Sequence, residues 1–190
     1  LKRLKVNFVY LPTVNQIYKD KTLTKISLKK SQKILCAKSR KGHFEGVLDV
    51  LNRFVKLISP KIIFMGEKDH QQYYLVQDFI TKNYKTRVYS CKTIRSSNGM
   101  ALSSRNKLLN RVDLKKSGLI ANKLLKLKST LNKKNSFSSV NSRKMRELIL
   151  EFKKQLINEF NIKIEYLECR NLMSLTTNIN NKPFKIFVAY

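Results

Sequence analysis

A four-residue apolar run, Ile62, Ile63, Phe64 and Met65, closed by Gly66 and set off by Pro60, constrains this chain more than any other segment. Apolar at every position and too short for a helix, it predicts a strand buried on both faces, as inside a parallel sheet. The flanking segments carry a different period. Between Gly46 and Ile58, the residues Val47, Val50, Leu51, Phe54, Val55 and Ile58 recur at spacings of three and four, which predicts an amphipathic helix that Pro60 ends. Beyond the run, Tyr74, Leu75, Phe79 and Ile80 repeat the helical spacing, and Arg87 to Ser90 reads as another strand. Val6 to Tyr10, an apolar run closed by Pro12, reads as a buried strand ahead of all of these. Strand, helix, strand, helix, strand in this order predicts βαβ units and an open, mostly parallel α/β sheet.

The pattern changes near Asn110. From Leu114 to Val140 the chain has no acid and many Lys, with a helix over about Leu114–Lys128 that sets Ile120, Leu124 and Leu127 on one face. A Ser/Asn/Lys loop around Lys133 to Ser139 follows, then a helix over about Met145–Phe160 and two strands, Ile162–Leu167 and Phe184–Ala189. The chain thus divides into an α/β domain, residues 1–109, and a small C-terminal α+β domain, residues 110–190. A length of 190 residues suits one domain or somewhat more.

Charge narrows the partners without settling them. Lys and Arg number 40 against 12 acids, a formal net charge of +28, which attracts phosphate backbones or anionic surfaces. Only ten of the 40 are Arg, and the 30 Lys come with much Asn and Ile, the imprint of an A+T-rich genome. Phosphate and base readers favour the planar Arg fork, and the acid-free stretch holds Phe137 as its only aromatic. A basic nucleic-acid-binding protein therefore stands as the alternative reading. Cys36, Cys91 and Cys169 are odd in number and widely spaced, which argues for a reducing compartment over a disulfide framework. No apolar stretch reaches the length of a membrane span, and a cytoplasmic, soluble protein is expected. The first residue is Leu1, not Met.

Three clusters carry possible chemistry. Gly66, Glu67, Lys68, Asp69, His70, Gln71 and Gln72 follow the Ile62–Met65 strand, at the position where ligands of open α/β sheets bind. There a Gly lets backbone approach phosphate, and the next helix points its positive end at the anion. Alone, the cluster reads more readily as a polar loop with a helix cap. Asn98 to Asn106 place two adjacent hydroxyls, Ser103 and Ser104, and Arg105 after a Gly turn, a set of donors suited to a triphosphate; alone, it reads as a helix start capped by Ser. Ser39 to Val47, with Arg40 and His43, precedes the first long helix, where His43 alone reads as a structural hydrogen-bonder.

Together and in this order, the clusters resemble the pantoate–β-alanine ligase (pantothenate synthetase) family. Its pattern Ser-Arg-Pro-Gly-His-Phe-x-Gly-Val is matched from Ser39 to Val47 with Lys41 for Pro. Its Phe-Gly-Glu-Lys-Asp-x-Gln-Gln pattern is matched to Gln72 with Met65 for Phe, and its Asp-Gly-Leu-Ala-x-Ser-Ser-Arg-Asn pattern from Asn98, with Asn98 for Asp and Met100 for Leu. The resemblance implies a Rossmann-like, nucleotidyltransferase-type domain. It implies an ATP-dependent ligase that joins pantoate to β-alanine through pantoyl adenylate, releasing pyrophosphate and AMP, with Mg²⁺ accompanying ATP. It assigns ATP to Gly66, Glu67, Lys68 and Asp69, to Ile94, and to a loop of Leu102, Ser103, Ser104 and Arg105. Pantoate falls to Gln72 beside an apolar wall that includes Val50 and Leu51. A homodimer is implied for the intact enzyme, with no membrane partner and no protein-held metal. An adenylyltransferase of the same fold group remains a further alternative, distinguished by its acceptor.

The family also opens with a strand and a loop carrying two histidines that grip the triphosphate, and the only histidines here, His43 and His70, belong to other motifs. The catalytic residues of that loop therefore have no counterpart in this sequence. The resemblance implies a fragment without the first strands of the nucleotide-binding sheet and cut inside the last strand at Tyr190, inactive alone. AMP release from pantoate, ATP and β-alanine tests that expectation.

Overall fold

The computed structural model describes residues 2–19, 26–134, 141–180 and 182–190, and their contacts group into two units, Leu1–Lys92 and Thr93–Tyr190. In the first unit, α1 (Val14–Ile17) and α2 (Cys36–Ser39) precede α3 (His43–Ile58), β1 (Ile62–Gly66), α4 (His70–Asn83) and β2 (Arg87–Cys91). Gly42, with φ of +76°, turns the chain into α3 through a conformation that side chains rarely adopt. The helix stops where Ser59 takes a left-handed φ of 48° and its N–H bonds the Val55 carbonyl at 2.8 Å, with Pro60 barring continuation. Phe44, Leu48, Asn52 and Val55 form the buried stripe. Phe44, Leu48 and Val55 meet Leu75, Val76 and Ile80 of α4 and Val88 of β2 in one core. Ile80 and Val76 are wholly buried, and each contributes roughly 1.5–3 kcal/mol relative to an exposed position.

β1 and β2 pair in parallel, from Ile62 opposite Arg87 to Gly66 opposite Cys91, with α4 as the crossover, so the predicted βαβ unit is present. Two strand expectations nevertheless fail. β1 is covered on one face only: Ile63 and Met65 pack on the core, whereas Phe64 is 68% exposed, its ring 6.0 Å from that of Tyr89 on β2. The run is apolar on both sides, but the core formed by α3 and α4 covers one. Val6 to Tyr10 is not a strand at all. All five residues are exposed and the segment pairs with neither β1 nor β2, so its backbone groups gain no ladder partner. Among the described residues, Tyr10 of this segment meets an aromatic neighbour, edge-on to Phe54 at 6.2 Å.

The second unit carries α5 (Arg111–Lys134), α6 (Ser142–Phe160), β3 (Tyr166–Asn171) and β4 (Phe184–Ala189). α5 begins earlier than the apolar spacing predicts because Asn110 caps it, accepting the Asp113 N–H at 2.8 Å. Asn141 likewise starts α6 ahead of Met145 by accepting the Arg143 N–H at 2.8 Å. Ile120, Leu131, Met145, Ile149, Leu156 and Phe160 build the core between the helices and a small antiparallel sheet. That sheet pairs Tyr166 with Ala189 through Asn171 with Phe184, so the first strand lies four residues beyond the expected start at Ile162. Ile164 is buried without being paired in it, which is why apolar alternation misplaced the strand. The polar part of β3 is admitted to the interior because Arg170, 7% exposed, pairs with Glu168 at 2.5 Å and donates to the Leu175 carbonyl at 2.7 Å. The expected loop at Lys133 to Ser139 falls mostly outside the described residues. No helix among the described residues is long and apolar enough to cross a membrane.

Candidate active site

The first candidate segment is the turn that β1 delivers. Gly66 ends the strand, Glu67–Asp69 form one 3-10 turn, and α4 starts at His70. The Lys68 ammonium lies 3.2 and 3.1 Å from the two Asp69 carboxylate oxygens. This pair is exposed, so it stabilises the turn by no more than about 1 kcal/mol and yields readily to a stronger anion. The Ser90 hydroxyl, near the end of β2, donates to Glu67 at 3.1 Å and ties the turn to the neighbouring strand. Two acids and one base make the turn a poor anion trap on charge alone. Its value is position, since it sits past the carboxyl ends of two parallel strands.

In the same unit, Gln72 is half-buried on α4, while Val50 and Leu51 are half-buried on α3, and Leu51 packs on the core. Gln71 is a residue to which the sequence pattern gave no role. It is 5% exposed, donates to the Ile34 carbonyl at 2.7 Å and accepts the Cys36 N–H at 3.1 Å. Between these two partners Leu35 holds φ +48° and ψ −127°, a backbone that costs an L residue strain. The Gln71 amide therefore straps the entry to α2, four residues ahead of the Arg40–His43 segment. There Arg40 Nη2 lies 3.2 Å from His43 Nδ1.

The second candidate segment belongs to the other unit. Leu102 N–H bonds the Ile94 carbonyl at 2.9 Å, Arg95 bridges Ala101, and Ser96 N–H bonds the Met100 carbonyl at 2.9 Å, so residues 94–102 form a hairpin. Gly99 turns its tip with φ +85°, and Gly99 N–H closes on the Ser96 carbonyl at 2.9 Å. The structure thus brings Ile94 and Leu102 together across the hairpin, both exposed at 66% and 54%. Ser103 caps a short 3-10 helix, Ser104–Leu108, accepting the Arg105 N–H at 3.3 Å. Asn106 donates back to the Ala101 carbonyl at 3.0 Å. Ser104 and Arg105 are exposed, and the Arg105 guanidinium has no acid or acceptor partner among the described residues. The hairpin leans on α5, where the Asn98 side chain donates to the Leu114 carbonyl and the Asn98 carbonyl accepts from Asn122 across the expected boundary at residue 109, so residues 93–110 pack with the second unit.

No group of three His, Cys, Asp or Glu side chains among the described residues could hold a metal ion. Glu67 and Asp69, the acids of the first turn, are engaged by Ser90 and Lys68. The residues described do not form a protein cage for Mg²⁺. The three cysteines are free thiols, and burial pushes the Cys169 thiol up to about 12.

The fold is an α/β architecture in which a parallel strand pair with helices is followed by a small antiparallel sheet. It is shared with two pantothenate synthetases of known structure. That of Thermus thermophilus superposes with a TM-score of 0.80 at 21% identity, covering 99% of this chain and 71% of that one. A pantoate-β-alanine ligase from Francisella tularensis, solved in complex with β-γ ATP and β-alanine, gives a TM-score of 0.67 at 26% identity over 98% of this chain and 66% of that one. The Pantoate-beta-alanine ligase family model matches residues 1–190, and the chain belongs to that family. The pantothenate synthetase of Leptospira interrogans serovar copenhageni is 39% identical over 175 residues, 90% of this chain and 58% of that protein. A bifunctional pantoate ligase/cytidylate kinase of Prochlorococcus marinus is 35% identical over 95% of this chain and 34% of its own length. The chain thus spans a little under three fifths of the Leptospira relative.

Proposed function

We propose that the protein works as an ATP-dependent ligase that condenses pantoate with β-alanine through a pantoyl-adenylate intermediate. The observation that carries this reading is the placing of the Gly66–Gln72 motif at the carboxyl end of a parallel strand in a chain whose whole length matches the ligase family. In the first step a pantoate carboxylate oxygen attacks the α-phosphorus of ATP, the bond from that phosphorus to the bridging oxygen breaks, and pyrophosphate leaves. In the second, the amine of β-alanine attacks the acyl carbon, loses a proton and expels AMP. Neither step demands a buried acid–base pair; both need positioning and charge stabilisation. Gly66 to Asp69 hold ATP, with the Lys68 ammonium exchanging Asp69 for phosphate oxygens. Arg105, exposed and without a partner among the described residues, meets charge shed onto the leaving pyrophosphate, with Leu102, Ser103 and Ser104 around it and Ile94 against the nucleotide. Gln72 takes the pantoate hydroxyls and carboxylate beside Val50 and Leu51.

Mg²⁺ enters this reading as the ATP complex, carried by phosphates and water. The nucleotide-binding domain is taken as residues 1–109 and the enzyme as a homodimer in the cytoplasm. The test is AMP formation from ATP, measured with and without pantoate and β-alanine, in this chain and in a protein of the relatives' full length. Turnover that needs both substrates in the longer protein supports the reading. Adenylate passed to a nucleotide acceptor, with no need for pantoate, would replace it.

A further inference from the structure

Two glycines and two asparagines of the second unit interlock. Gly99, at the hairpin tip, lies so close to α5 that a β-carbon on it would collide with the Asn122 side chain. Gly118, inside α5, lies so close to the hairpin that a β-carbon there would meet Asn98 Nδ2, Cγ and Cβ at 2.8, 2.9 and 3.0 Å. Each partner thus supplies a glycine that receives the other's asparagine. Hydrogen bonds close the arrangement: Asn98 Nδ2 donates to the Leu114 carbonyl at 3.4 Å, and Asn122 Nδ2 to the Asn98 carbonyl at 3.2 Å. The other end of the Asn98 amide serves the hairpin itself, accepting from the Ser96 hydroxyl at 2.6 Å and the Met100 N–H at 3.2 Å. Only an amide does both, since a carboxylate at this position has no donor for the Leu114 carbonyl and would repel it. Gly118 weakens the middle of a long helix, and the close approach of Asn98 is the compensation.

We propose that Asn98–Gly99 and Gly118–Asn122 form a lock that fixes the tip of the hairpin to α5, and that Asn98 and Asn122 are positioning residues for the Leu102–Arg105 segment. Only the consequence for a ligand rests on the ATP reading of that segment. Hydrogen exchange of the chain, followed by mass spectrometry for wild type, N98D, N122A and G118A, tests it. The Gly99, Met100 and Leu102 amides are expected to exchange at least tenfold faster in all three variants, with α6 and β3 unchanged. The ATP concentration that half-protects residues 102–106 is expected to rise at least fivefold. G118A is the decisive variant, because helix propensity alone makes Ala the better residue, so a loosened hairpin beside an α5 equally or better protected is not a loss of folding. Should G118A fail to fold, N98A/G118A removes the collision; the fold is expected to return while the hairpin amides stay fast. Unchanged hairpin exchange in the variants overturns the lock. Fast exchange with an unchanged ATP titration overturns the positioning role. If ATP protects nothing in wild type, the ATP reading of the loop falls, while the exchange rates still decide the lock.

Discussion

The two segments that carry the ligase motifs are held by different physics. The Gly66–Gln72 turn hangs between a strand and a helix whose apolar faces are sunk in a core, so its place is set by burial around Leu75, Val76 and Ile80. The Ile94–Arg105 segment has only Met100 buried and is held by backbone pairing and by the amides of Asn98, Asn106 and Asn122. Lys68 of the first and Arg105 of the second differ as well, for Lys68 has a carboxylate beside it and Arg105 has none among the described residues. Apolar burial resists local opening, whereas a few exposed hydrogen bonds open at low cost. The turn is therefore the more rigid of the two segments, and the arm the one that opens more readily.

The largest effect that can break the contrast lies in the first core. Ile80→Ala removes a fully buried side chain from the core that anchors the turn and is expected to cost about 2–5 kcal/mol, read as a shift in the urea midpoint. Phe64→Ala, on the uncovered face of β1, is expected to stay within about 0.5 kcal/mol. Equal losses at the two positions would mean that β1 is covered on both faces after all.

Next comes the charge. Under the proposed ATP reading, Lys68→Ala and Arg105→Ala would each remove one charge-assisted contact to phosphate, an expected weakening of ATP binding by about 1.5–3 kcal/mol. The Lys68 change is expected to be the larger of the two, because it leaves the Asp69 carboxylate facing the anion with no counter-charge. Calorimetric titration of ATP into both variants and into Lys68→Ala/Asp69→Ala checks this. If the double variant binds no better than Lys68→Ala, Asp69 is not the source of the difference.

A smaller effect tests whether the first segment, too, depends on an amide. Gln71→Ala leaves the Ile34 carbonyl and the Cys36 N–H without this partner and releases the strained Leu35 backbone, for an expected loss of about 1–3 kcal/mol. Gln71→Glu keeps the acceptor for Cys36 but sets a buried carboxylate oxygen against the Ile34 carbonyl, and should lose at least as much stability as Gln71→Ala. Faster labelling of the half-buried Cys36 thiol reports the opened strap even where global stability changes little.

Which of these features the amino-acid sequence disclosed follows from the range of the interactions involved. The α3 stripe and the βαβ unit were legible because period and punctuation are local: Pro60 and Gly66 bracket β1, and α3 repeats every three or four residues. The motif at Gly66–Gln72 was legible for the same reason. Val6–Tyr10 misled because an apolar run does not reveal whether a strand exists to pair with it. Ile162 and Ile164 misled because alternation does not distinguish a paired strand from a loop entering a core. Gln71, Asn122 and Gly118 act through partners far along the chain, in Ile34, Asn98 and their neighbours, at separations that no window of pattern spans. Ser103 was read as a phosphate donor or as a helix cap, and the structure realises the cap.

The last comparison takes one thiol from each unit. Cys91, exposed at the end of β2, should react with a disulfide reagent at pH 8 far sooner than Cys169, which is 9% exposed in the second core and reacts only as that core opens. Burial holds the Cys169 thiol near 12, above its ordinary 9.0, so the folded state keeps the proton that the unfolded chain has released. Its contribution to stability is therefore whole below pH 9 and is lost as the pH climbs from 9 toward 12, by at most about 1.4 kcal/mol per pH unit. Urea midpoints of wild type and Cys169→Ala, taken from neutral pH to well above pH 9, isolate that slope, since every other alkaline group is common to both. The wild-type curve should fall more steeply above pH 9, and parallel curves would show that Cys169 ionises as freely as a thiol in water.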